Sequence, residues 1–293
     1  MSENRINPGD ANQITRDYFD SLLIEMRHLD GVKPSTKVEI FGKTFDTPIM
    51  MAAFSHMKTL EDVARAAKLT NALNWVGMGD EAQLEQLMAT GAETVKIIKS
   101  YKDNERILKK IEHAKGLGAL AVGMDIDHAF SRKGEYDVVV GEEMRPKSLA
   151  ELREFVAAAG ETPFVVKGVL SVTDAVKCAE AGVKGIVVSH HHGIINYGVP
   201  PLMALPKIKE AVGDSLTIFL DCGVASGYDA FKAMALGAKA VSLGRALFPA
   251  LENGAEGAAA CIRQMTEELA GIMAHTGSPD PAHIDPSLIW KKN

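Results

Sequence analysis

The chain has 293 residues, 46% of them hydrophobic and 24% charged, the composition of a globular protein that buries a large core. Its formal net charge of -6 argues against sequence-independent nucleic-acid binding, which needs basic patches to neutralise phosphates. Cys178, Cys222 and Cys261 show no C-x-x-C spacing, so neither a disulfide framework nor a zinc ribbon is expected.

In chain order, Met1-Ser2-Glu3-Asn4-Arg5 leads into polar sequence with no apolar signal region, and no run approaches the ~20 apolar residues of a membrane span. The expectation is a cytoplasmic protein with a small-molecule substrate and neither a membrane nor a nucleic-acid partner. Lys37 to Asp46 alternates around Gly42 and reads as a hairpin, placed to plug the N-terminal mouth of a barrel. Eight short apolar runs then recur: Pro48 to Phe54, Ala72 to Val76, Glu93 to Ile98, Ala119 to Asp125, Pro163 to Lys167, Gly185 to Ser189, Leu216 to Asp221 and Ala240 to Gly244. Amphipathic stretches separate them, among them Asp103 to Lys115, Leu149 to Ala159, Val172 to Ala181, Ala204 to Val212 and Gly227 to Leu236. Eight strand–helix alternations predict an α/β fold, a (β/α)8 TIM barrel, with a doubly wound open sheet as the alternative.

Glu252 to Ala274 reads as a long helix packed outside the barrel, and the Pro-rich end, closing Trp290-Lys291-Lys292-Asn293, as a tail docked on a neighbouring subunit. No Pro/Gly/Ser-rich linker divides the chain. One domain, 1–293, is therefore expected, with a helix and hairpin over 1–46, the barrel over 47–250, and a helix and tail over 251–293.

The C-terminal ends of barrel strands carry the chemistry. Here those ends supply His56, Lys96 or Lys99, Asp125 with Asp127 and His128, Lys167, Ser189 with His190, His191 and His192, Asp221, and Gly244-Arg245. So many titratable groups at one rim point to an active site. Glycine-bearing turns come after the last two strands, Asp221-Cys222-Gly223-Val224-Ala225-Ser226-Gly227 and Ser242-Leu243-Gly244-Arg245-Ala246. Such turns hold phosphate, because glycine lets backbone N–H groups approach it and an arginine adds paired hydrogen bonds. Alternating strand side chains would point His190 and His192 away from His191. Three contiguous histidines would then not share one metal, although His191 with Asp125, Asp127 or His128 offers a nitrogen/oxygen set. No metal is expected.

Val166-Lys167-Gly168-Val169-Leu170, Ile186 to Gly193, Asp221 to Arg245 and Ala235-Leu236-Gly237-Ala238 resemble the FMN-dependent α-hydroxy-acid oxidases and dehydrogenases, the group of glycolate and lactate oxidases. Weaker similarity runs through Phe41-Gly42, Met51-Ala52-Ala53 and Tyr101-Lys102-Asp103. The resemblance implies an FMN-dependent oxidoreductase, a homo-oligomer and by family habit a tetramer. It implies that His191 is the catalytic base, assisted by Lys167 and Asp125. Lys167 would lie against the N1–C2=O edge of the flavin, Ser189 beside its ring and Asp221 on its ribityl hydroxyls. Gly223, Gly244 and Arg245 would bind the phosphate, and Ala52, Ala53, Lys96, His191 and Gly193 would complete the cofactor site.

The substrate side departs from the pattern. The arginine after the family's His-Gly-Gly is Ile194, its Gln-x-Tyr after the third strand becomes Lys96 to Lys99, its Asp-Thr-Pro reads Asp125-Ile126-Asp127, and its phosphate arginine on the seventh turn is Ala225. Arg132 is placed to replace a second carboxylate-binding arginine. An isoleucine cannot make the paired charged hydrogen bonds of an arginine clamp. The expected substrate therefore differs from a standard α-hydroxy acid. The alternative is a non-redox barrel isomerase, lyase or aldolase acting on a phosphorylated substrate, with Lys96 or Lys99 as a Schiff-base amine.

Overall fold

A computed structural model describes residues 7–55 and 57–292. Eight parallel strands form one sheet: β1 (Ile49–Met51), β2 (Asn74–Val76), β3 (Thr94–Lys99), β4 (Ala121–Asp125), β5 (Phe164–Val169), β6 (Gly185–Val188), β7 (Thr217–Leu220) and β8 (Ala240–Leu243). Each pairs with its neighbours in sequence, and β8 pairs with β1. A parallel bridge from Phe54 to Val76 and a hydrogen bond from Met51 N to Leu73 O at 3.0 Å close the circle between β1 and β2. This is the expected TIM barrel, and the eight expected runs overlie its eight strands.

Helices alternate with the strands: α1 (Leu60–Thr70), α2 (Glu81–Met88), α3 (Asn104–Gly116), α4 (Leu149–Ala159), α5 (Val172–Glu180), α6 (Pro201–Val212), α7 (Gly227–Ala235) and, after a short turn, α8 (Gly254–His275). Several starts are set locally. Ser148 and Glu151 form a capping box on α4, and Ser171 and Ser226 cap α5 and α7, so orphan backbone N–H groups are satisfied before packing begins. α8 packs against α1 and α7 on the outside of the barrel, as its amphipathic pattern predicts.

Two apolar cores result. Side chains outside the sheet, such as Ile98, Met124, Val166 and Ile186, pack against the helices. Inside, Met50, Trp75, Val95, Ile97, Val165, Val187, Phe219 and Ala240 fill the barrel, closed from below by Val38, Ile40 and Phe45 of the Val38–Ile40/Lys43–Phe45 hairpin. That hairpin is the expected plug. The tail has an internal partner that the sequence did not name: Ile289–Lys291 pairs antiparallel with Leu22–Ile24 of the same chain, and Trp290 Nε1 donates to Glu25 Oε2 at 2.8 Å.

Candidate active site

Strand parity builds the site. Two residues above the inward-facing Ile97, Val165, Val187, Phe219 and Ala240 stand Lys99, Lys167, Ser189, Asp221 and Ser242. Side chains two apart share a strand face, so a layer of polar groups caps the apolar interior. Lys167 Nζ lies 3.1 Å from Asp221 Oδ2 and 3.4 Å from Ser189 Oγ, and Lys99 Nζ pairs with Asp125 Oδ2 at 2.7 Å. Burial disfavours the Lys167 cation, but Asp221, Asp125 and Asp127 outweigh it and hold the proton affinity above that of an ordinary lysine. Lys167 is a fixed positive charge.

Above it opens a cavity of about 410 Å³, whose wall includes Ala52, Ala53, Phe54, Lys167, His191, His192, Asp221, Gly223, Gly244 and Arg245. A Cβ on Gly244 would meet no heavy atom within 4 Å, so the backbone there borders open space. Among the described residues Arg245 has no carboxylate partner, and its guanidinium is exposed. A bare glycine turn beside an unpaired arginine suits a phosphate, the two alanines leave room for a flat ring, and Lys167 is placed for a ring that gains negative charge. The residues present fit FMN.

His191 Nδ1 is 2.7 Å from Asp127 Oδ1 and 3.4 Å from Asp125 Oδ2. Burial and Lys167 disfavour its imidazolium, yet the two carboxyl groups raise its pKa to about 9. Asp125 is held well below the usual carboxylate range despite its burial, through Asp127, His191 and Lys99. Burial and the Asp125 charge push Asp127 the other way, to about 7. Asp127, His128 and His191 bring possible ligand atoms within 4.8 Å of one another. One nitrogen of each histidine is engaged, His191 Nδ1 with Asp127 Oδ1 and His128 Nδ1 with Asp137 Oδ2 at 2.9 Å. We assign no metal ligand among them.

The histidine run differs from its strand reading. β6 ends at Val188, and His191 and His192 have left-handed φ of +46° and +61°, so side-chain alternation has stopped. Both face the cavity. His190 is buried, its Nε2 2.8 Å from Thr15 Oγ1 and its Nδ1 accepting from Gly193 N at 3.0 Å. It ties the turn to the N-terminal helix Ala11–Asp20. Gly193 serves that turn (φ +76°) and accepts from the Arg132 guanidinium at 3.0 Å, while Ser189 Oγ accepts from His191 N at 3.0 Å. These two, with Asp125, stand behind the cavity wall.

Lys96 is placed elsewhere. It shares the outward face of β3 with Ile98 and donates to the Gly77 carbonyl, and burial lowers its pKa to about 7. As Lys99 is paired with Asp125, neither lysine offers a free amine to the cavity. His56 lies outside the described residues. Thr15 and Asn12 of the N-terminal helix also line the cavity, and Arg16 reaches Gly223 O at 3.0 Å and both oxygens of Asp229. None of these had a local signal, because the helix precedes the loops it supports by about 180–210 residues. Cys222, with φ +68°, donates to Asp221 Oδ1 at 2.9 Å. Burial and Asp221 raise that thiol to about 12, so it is no nucleophile near neutral pH.

A (β/α)8 barrel whose strand ends border one cavity with a fixed lysine, an imidazole–carboxyl cluster and a Gly-Arg turn fits a flavin-type barrel enzyme. Comparison with known proteins narrows the class. The family model described as FMN-dependent dehydrogenase matches residues 6–161 and 142–291. The chain belongs to this family. It is 27% identical over 291 residues to a peroxisomal (S)-2-hydroxyacid oxidase of Arabidopsis thaliana, covering 86% of this chain and 80% of the relative. It is also 26% identical to a 2-hydroxyacid oxidase of Dictyostelium discoideum, over 97% of this chain and 84% of the relative. Among solved structures, a mandelate oxidase variant with an FMN adduct superposes with a TM-score of 0.86 at 26% identity, covering 95% of this chain and 91% of that one. The protein is an FMN-dependent oxidoreductase of the hydroxyacid oxidase family, and nothing in the site favours the non-redox alternative.

Proposed function

We propose that this enzyme oxidises a small hydroxyl-bearing substrate that is not a standard α-hydroxy acid. His191 acts as the proton-transfer residue and Lys167 as the charge partner of the cofactor. One observation carries the reading: Lys167 and His191 face one cavity beneath the Gly244-Arg245 turn.

Gly223, Gly244 and Arg245 would hold the FMN phosphate, Asp221 would lie along its body, Ala52 and Ala53 would line the ring, and Ser189 would support Lys167 from behind the wall. FMN, when bound, accepts the electron pair from substrate. His191 takes the substrate proton at Nε2, since Asp125 and Asp127 occupy Nδ1. Asp125 keeps that ring oriented while pinned by Lys99.

The substrate assignment rests on Ile194 in place of an arginine and on Arg132, which donates to the Gly193 carbonyl. A carboxylate clamp of two arginines is therefore not assembled. The test is anaerobic bleaching of the FMN absorbance of yellow, reconstituted protein. Neutral 2-hydroxy esters or amides should bleach it at least as fast as glycolate, lactate or mandelate. Fast, saturable bleaching by the free acids alone would overturn the substrate assignment, and protein that takes up no FMN would overturn the functional reading.

Among the described residues no helix is long and apolar enough to cross a membrane. Three free thiols support a reducing compartment, which we take to be the cytoplasm. Exposed Ile195, Tyr197, Val199 and Met203 support a homo-oligomer, a tetramer on the family pattern, which light scattering would test.

A further inference from the structure

Two buried carboxylate oxygens in the site have no hydrogen-bond partner, Asp125 Oδ1 and Asp127 Oδ2. The remaining oxygens are engaged: Asp125 Oδ2 with Lys99 and Asp127 Oδ1 with His191. The two carboxyl groups converge on one atom, His191 Nδ1, at 3.4 Å from Asp125 and 2.7 Å from Asp127. Two buried carboxyl groups repel when both are ionised and an orphaned buried acceptor is costly, so the cations beside them, Lys99 and the His191 imidazolium, hold the pair in place.

The backbone builds this arrangement. Ile126 N donates to Lys167 O at 3.0 Å, fastening the chain just past β4 to β5. Asp127 then lies on Gly168, whose φ is +91°. A Cβ at Gly168 would sit 2.5 Å from Asp127 Oδ2 and 2.8 Å from Asp127 Cβ. Only glycine leaves space for this carboxyl group. Its position is one where the family pattern has proline, so the second carboxylate is a feature of this chain.

We propose that Asp127 is a positioning residue for His191: together with Asp125 it grips the imidazole Nδ1–H so that Nε2 faces substrate. The inference rests on His191 being the proton-transfer residue. Other groups facing His191 are Lys167 from β5, Asp221 and Cys222 beyond β7, Lys99 behind Asp125, His192 beside it and His128, whose ring meets His191 edge-on at 4.2 Å. Lys167 and His128 oppose the imidazolium. The carboxyl pair prevails, and Asp127 thereby determines how alkaline the medium must be before Nε2 can accept a proton.

The test uses FMN-loaded protein and reads the His191 ring by NMR, assigned with His191→Gln, together with the pH profile of flavin bleaching by substrate. In Asp127→Asn the His191 midpoint should fall by roughly 1–3 pH units, the range for loss of a carboxylate at this distance. The acid-side limb of the bleaching profile should move by the same amount, with FMN absorbance retained. Asp127→Ser should shift it likewise, and Gly168→Ala in the same direction by displacing the carboxyl group. A midpoint unmoved in Asp127→Ser and Gly168→Ala overturns the inference, even if Asp127→Asn fails to fold. The NMR readout needs no turnover: a shifted midpoint in a protein that oxidises nothing removes the oxidase reading alone, and an unmoved midpoint with normal oxidation removes the role of Asp127 alone.

Discussion

The neighbours of His191 favour its charged form, and in the proposed role of proton acceptor it must be neutral. Its pKa of about 9 means that substrate oxidation should rise with pH through that value, because only neutral imidazole accepts a proton. His191→Ala should lower kcat by roughly 10²–10⁴-fold, the usual worth of general acid–base catalysis, while the protein stays yellow. Arg245→Ala should do the reverse, losing FMN on gel filtration with the rate restored by excess FMN. Stopped-flow bleaching and the bound-flavin spectrum separate the two outcomes. Loss of flavin from His191→Ala, with Arg245→Ala still fully loaded, would exchange their roles. The place of Lys167, Asp125 and Asp221 at the barrel rim was legible because each stands at the end of an apolar run whose parity points it upward. Lys96 was misplaced because parity was not applied: Ile97 faces the interior, so Lys99 does too, and Lys96 cannot.

The N-terminal helix Ala11–Asp20 is the element that sequence reading undervalued. It brings Thr15 to His190, Asn12 to the His192 carbonyl and Arg16 to Asp229, clamping the turns after β6 and β7 together. The Arg16–Asp229 pair makes two hydrogen bonds, of 3.0 and 2.8 Å, and Asp229 is buried. Arg16→Ala leaves that carboxylate short of a partner and should cost about 1.5–3 kcal/mol, the range for hydrogen bonds to charged groups. Chemical denaturation would measure it, and FMN affinity should weaken in parallel because Gly223 also loses its contact with Arg16. Unchanged stability and flavin retention would show that the helix is only packed there. Similarly, the end of the chain read as a subunit-docking tail because nothing local in Ile289–Lys291 names Leu22–Ile24 as its partner.

At the scale of the molecule, the buried charge cluster couples folding to pH. The folded-state pKa of His191 is raised from its ordinary 6.5 to about 9. The stability this confers is fully present below about pH 6.5 and is lost as pH rises through 9. Asp127, raised to about 7, has the same sign at lower pH, its contribution falling from about pH 4 to 7. Thermal unfolding of FMN-free protein should therefore give a lower Tm at pH 9 than at pH 6.5, by ~2–4 °C for each kcal/mol lost. His191→Gln should flatten that slope. A Tm that climbs toward pH 9 would mean that the carboxyl pair does not hold the imidazolium.

The sequence by itself determined the barrel, since eight β-branched runs of strand length, separated by capped amphipathic helices, have few ways to bury both sheet faces. It also singled out the residues proposed for the phosphate turn and the acid–base cluster, because these lie within a few residues of strand ends. Only the tertiary structure decided which groups meet. The turn that carries His191 and His192 leaves the strand and ends its alternation, the place of Asp127 beside His191 depends on space left by Gly168 on the next strand, and the N-terminal helix docks on loops far along the chain. Each of these is set by contact between distant segments, whose geometry no local pattern of residues encodes.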